Sequence, residues 1–79
     1  MYILDTKSAI KMGRRIKVLR ILKGMKQNIM YPQAGLRPAQ LSAIELGYEL
    51  PTKDQLERIA KVLGVAPDYL TQDKITIEL

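Results

Sequence analysis

The sequence predicts an all-α domain of four or five short helices. Two stretches repeat apolar residues at helical spacing, Met12/Ile16/Leu19 and Leu56/Ile59/Ala60/Leu63. Such spacing gathers side chains on one face of a helix. Glycines stand where the patterns stop, at Gly24, Gly35, Gly47 and Gly64, and glycine is the residue most suited to close a helix. Strand-like alternation is confined to the C-terminus, at Ile75, Ile77 and Leu79.

The first helix runs from about Ser8 to Lys23, with Asp5 or Ser8 placed to cap it and Gly24 to end it. Met12, Ile16 and Leu19 share its buried face. Ile10, Val18 and Ile21 project on the other side, among Arg14 and Lys17. That second apolar stripe is either a scatter of surface hydrophobes or a packing site. One candidate to cover it is a small terminal β-ribbon pairing Met1-Tyr2-Ile3-Leu4 with Lys74 to Leu79, within one chain or across a dimer.

A second helix begins near Gln27 and meets a third at the Gly35 turn. The third reads LRPAQLSAIEL, in which Leu36, Leu41 and Ile44 bury while Arg37, Ala39, Gln40, Ala43 and Leu46 stay outside or on the rim. Pro38 fits the first helical turn, where its missing N–H costs nothing. Thr52 and Gln55 form a capping-box pattern opening a fourth helix that ends at Gly64, and Pro67 starts a short fifth that offers Tyr69 and Leu70 to the core. One domain over residues 1–79 is expected, with a core at 8–71 and extended ends at 1–5 and 72–79.

Charge is uneven. The first 26 residues hold eight basic side chains and one acid, a balance of +7, whereas residues 27–79 balance at −2. A cationic first helix beside a presented helix points to a polyanion, with double-stranded DNA the first candidate. With no cysteine or histidine, neither a disulfide nor an ordinary zinc site is expected, and no cofactor. Nucleophile–base pairs reduce to Ser or Thr with Lys or a carboxylate, and Ser8, Ser42 and Thr52 read as caps or helix surface, so no enzyme and no small-molecule substrate are expected. No apolar run approaches the ~18 residues of a membrane span. A soluble cytoplasmic protein, away from membranes, is the expectation.

The segment Gly13–Leu70 resembles the lambda-repressor-like helix-turn-helix family of Cro/repressor, or XRE, type. The matching residues are Gly13, Arg15, Ile16, Leu19, Arg20, Lys23, Gly24, Gln27, Gly35, Leu41, Ile44, Glu45, Gly47, Pro51, Leu56, Ile59, Ala60, Leu63, Gly64 and Val65, in register without a gap. The resemblance implies a five-helix fold and a transcriptional regulator, expected to be a repressor, that binds operator DNA as a homodimer with its third helix in the major groove. It implies that Gln27 contacts a phosphate or a base, and that Arg37, Pro38, Ala39, Gln40 and Ala43 form the recognition surface. Lys26, Tyr48 and the basic residues of the first helix then lie near the DNA backbone. Arg20 and Glu45 match an internal salt bridge of the family and are read as structural.

Two departures from the family pattern stand out. Tyr31-Pro32 replaces a small residue followed by a non-proline, so the second helix is expected to be short, kinked or replaced by a turn, with Tyr31 pushed toward extended geometry. Pro38, Ala39 and Ala43 occupy positions that often read bases, and none forms a bidentate hydrogen bond. A second function therefore stands beside DNA reading: an antitoxin-like or regulatory interaction module on the same fold, with Val18, Ile21, Tyr31, Pro38, Ala39 and Leu46 as apolar contacts.

Overall fold

The computed structural model describes residues 6–71, and within them the chain forms five helices: α1 (Thr6–Leu22), α2 (Gln27–Gln33), α3 (Pro38–Leu46), α4 (Lys53–Leu63) and α5 (Pro67–Thr71). No strand occurs among the described residues. The terminal ribbon and the Asp5 cap fall outside them.

The core is where the apolar spacing places it. Met12 and Ile16 of α1, Met30 of α2, Leu41 and Ile44 of α3, Ile59, Ala60 and Leu63 of α4 and Leu70 of α5 are all buried in one cluster, joined by Ala34 and Leu36 from the α2–α3 turn. Fully burying a Leu, Ile or Met side chain contributes roughly 1.5–3 kcal/mol. Leu19, Tyr31, Leu56 and Tyr69 pack against the cluster as half-buried neighbours.

Close approach of α1 and α3 depends on Gly13. A side chain there would run into the backbone carbonyl oxygens of Ile44 and Glu45, the latter at 2.6 Å. Ile10 also belongs to this contact, because the backbone of Gly47 packs against its Cα and side chain. Ile10 is thus half-buried, not part of an open stripe, while Val18 and Ile21 are exposed at 44% and 56% and extend to Leu22 at 65%. Ser8 lies inside α1, two residues past its start, so it is not the N-cap.

Pro32 lies inside α2 without unwinding it. Tyr31 remains helical, contrary to the extended geometry expected before a proline. The reason is position: Pro32 sits in the last turn of a seven-residue helix, so one N–H is lost while the closing bonds survive. Leu36 N–H donates to the Tyr31 carbonyl at 2.8 Å and Gly35 N–H to the Pro32 carbonyl at 3.2 Å. This paired closure needs a left-handed residue between them, and Gly35 supplies it at φ +68°. Tyr31 keeps its place by lying half-exposed at the core edge.

The capping box of α4 forms in full. Thr52 N–H donates to Gln55 Oε1 at 2.9 Å, and Gln55 N–H donates to Thr52 Oγ1 at 3.2 Å. Asp54 in the first turn and Lys61 in the last complement the helix dipole. Arg15 is half-buried, and its Nη1 donates to the Leu70 carbonyl at 3.2 Å. A cation at the end of α5 satisfies a helix C-terminal carbonyl, and it ties the last helix to the first.

Candidate nucleic-acid interface

The probe helix α3 is bounded by sequence features at both ends. Pro38 takes the first helical position and Gly47 closes the helix in the left-handed conformation at φ 81°. Arg37 is the N-cap in extended geometry. Its backbone N–H donates to Gln40 Oε1 at 3.0 Å, so the Gln40 carbonyl is engaged in capping its own helix. The guanidinium of Arg37 has no acceptor with which to complete a reciprocal cap.

The inner side of α3 carries the polar chemistry. Arg20 Nε donates to Glu45 Oε2 at 2.7 Å and Nη2 donates to Oε1 at 3.1 Å, a bidentate pair. Nη1 of the same arginine reaches the Met25 carbonyl at 2.9 Å, in the loop between α1 and α2. Both side chains are buried, at 10% and 3% exposure. Glu45 Oε1 also accepts from Gln27 Nε2 at 3.0 Å, and Gln27 Oε1 accepts from Ser42 Oγ at 3.4 Å. One connected network therefore joins α1, the loop after it, the first residue of α2 and two residues of α3. Among the described residues no buried side-chain nitrogen or oxygen lacks a partner.

The outer side of α3 differs. At about 100° per residue, Ala39, Ala43 and Leu46 fall on the side away from Leu41 and Ile44, and Ser42 on the flank beside Glu45 and Gln27. Pro38 and Ala39 are exposed, Ser42 and Ala43 half-exposed, and Leu46 is 56% exposed. Arg37 stands exposed at the start of the helix, Lys26 just ahead of α2, and Tyr48 just beyond α3 at 83% exposure. Glu49, also exposed, follows Tyr48. On α1, Lys11, Arg14 and Lys17 are exposed.

Most expected site residues thus converge around one presented helix. Gln27, half-buried, also bonds within the protein, its Nε2 to Glu45 and its Oε1 to Ser42, so it supports α3 from the start of α2 with one of its two N–H groups and one of its two acceptor positions. Gln40 likewise has its oxygen committed to Arg37. Ser42, on sequence a cap or helix-surface residue, closes the network. The signal for it lay in the three-residue step from Ser42 to Glu45, which puts both on the flank facing Gln27.

No described helix is long and apolar enough to cross a membrane. No metal-binding group of His, Cys, Asp or Glu occurs among the described residues.

The geometry is shared with known proteins. In structure the chain is similar to the restriction-modification controller protein C.AhdI from Aeromonas hydrophila, with TM-score 0.77, 25% identity, and 81% of this chain covering 97% of that one. It is similar to SinR, a master regulator for biofilm formation solved in complex with DNA, at TM-score 0.73 and 32% identity, with 77% of this chain covering 98% of that one. A hypothetical transcription factor, NHTF from Neisseria, aligns at TM-score 0.73 and 26% identity over 91% of this chain and 84% of that one. Comparison with curated protein sequences gives no match. A helix-turn-helix family model matches residues 16–70, spanning α2, the Gly35 turn and α3 together with the helices that support them, and the chain therefore belongs to the helix-turn-helix family.

Proposed function

We propose that the chain acts as a sequence-specific repressor: a DNA-binding transcriptional regulator that lays α3 in the major groove and works as a homodimer in the cytoplasm, with residues 1–79 forming one domain. The observation that carries this is the presentation of α3. Its outer side is open, its inner side is fixed by the Arg20–Glu45–Gln27–Ser42 network, and cations stand at Lys26 and Arg37. A helix held this way projects side chains into a groove while cations meet phosphates. SinR, its relative, has been solved with DNA. Two copies in a dimer place two such helices on successive half-sites.

In this reading Arg37 grips a guanine or a phosphate, Pro38, Ala39 and Ala43 meet base edges, and Lys26 and Tyr48 sit at the backbone. Gln27 and Gln40 position α3. The test is selection of bound duplexes from a random library, followed by anisotropy titration at two salt concentrations. A palindromic site whose affinity falls steeply with salt supports the proposal. Absence of binding at low salt overturns it. That result would favour an interaction module, for which the exposed Val18, Ile21 and Leu22 offer an apolar contact surface.

A further inference from the structure

The polar groups of the helix-turn-helix are mostly used internally. Gln27 is bonded at both ends of its amide, Gln40 gives its carbonyl oxygen to Arg37 N–H, Ser42 gives its hydroxyl proton to Gln27, and Glu45 is buried. What α3 turns outward is three small or apolar side chains within two turns, Ala39, Ala43 and Leu46, with Pro38 ahead of them. Ala39 and Ala43 are four residues apart, so their methyl groups stand one above the other on the same stripe. In the major groove, the one apolar feature that distinguishes a base pair is the C5-methyl group of thymine.

We infer that this protein reads its site chiefly through thymine methyl groups, so that thymines face Pro38, Ala39, Ala43 and Leu46 and Arg37 supplies the hydrogen-bonded contact at the edge of the half-site. This rests on the DNA-reading function proposed above. Recognition is then by burial of methyl against methyl, a contact that cytosine, lacking the group, does not offer. Uracil isolates the effect, because it pairs and hydrogen-bonds as thymine does and lacks only that methyl.

The experiment uses the full chain and a duplex recovered by its own selection, synthesised once with thymine and once with deoxyuridine throughout. Each buried methyl lost should weaken binding about threefold to fourfold, so the uracil duplex should bind at least tenfold more weakly, while an unselected duplex shows no such difference. In the A39G/A43G variant, its fold checked by thermal melting, binding to the thymine duplex should weaken toward that of the uracil duplex and the thymine–uracil ratio should fall toward one. Equal affinity for both duplexes, or recovered sites without thymines in the half-site, overturns this inference and leaves DNA reading intact. A ratio unchanged in A39G/A43G also overturns it, since the effect then comes from duplex shape. No salt-sensitive binding to any duplex overturns the DNA-reading function itself, and this inference with it.

Discussion

The two sides of α3 are chemically opposite. Its inner side buries Glu45 at 5% exposure and engages it with three donor groups from Arg20 and Gln27. Its outer side exposes Ala39 and Leu46 beside a half-exposed Ala43. The same nine-residue helix thus spends its ionic chemistry on being held and keeps an apolar surface for contact. A buried ion pair is a poor source of net stability but a strict constraint on geometry. Rigidity and recognition are therefore carried by different residues, and mutations should separate them.

The largest loss should come from the support. Gly13→Ala places a methyl against the α3 backbone, where neither helix has room to yield, and should cost about 3 kcal/mol or more in chemical denaturation. A loss under ~1 kcal/mol would mean that α1 and α3 separate easily. Next is Glu45→Ala, which leaves Arg20 buried without its carboxylate and should cost on the order of 3 kcal/mol. A measured loss below about 0.5 kcal/mol would show the pair to behave as an exposed one.

On the outer side the readout changes from stability to affinity. Arg37→Ala should leave the melting temperature in place and weaken cognate binding by roughly 1–3 kcal/mol. An equal loss on random DNA would assign Arg37 to a phosphate. The smallest effect sharpens the boundary between the two sides. Gln27→Ala should lower stability by about 1.5–2 kcal/mol, the low end for a hydrogen bond to a charged partner, because Gln27 is half-exposed. If stability holds and affinity alone falls, Gln27 belongs to the DNA face after all.

These assignments show what was legible in the sequence. Helical spacing and glycine positions located α1, α3 and α4, because burial of one face and closure by a left-handed residue are local properties. The Arg20–Glu45 pair came only through family resemblance, since no spacing rule links positions 25 residues apart. The internal bonds of Gln27 and Arg15 are hidden for a related reason. An amide or a guanidinium reads the same whether its partner is a phosphate or a carbonyl, and the partners here, Glu45 and Leu70, are brought close only by tertiary packing. Tyr31 keeps its helical geometry because the bias of a residue before proline away from the helix is a local preference, outweighed here by burial of Met30 and Ala34 and by the closing bonds to the Tyr31 and Pro32 carbonyls.

DNA reading by this protein requires α3 to enter a duplex by its outer side. The direct measurement is an NMR titration of the full chain with a selected duplex, read through methyl and amide signals. Shift changes should concentrate from Arg37 to Tyr48, with contacts between the Ala39 and Ala43 methyls and thymine methyls. Changes confined to Val18, Ile21 and Leu22, with α3 signals unmoved, would contradict it.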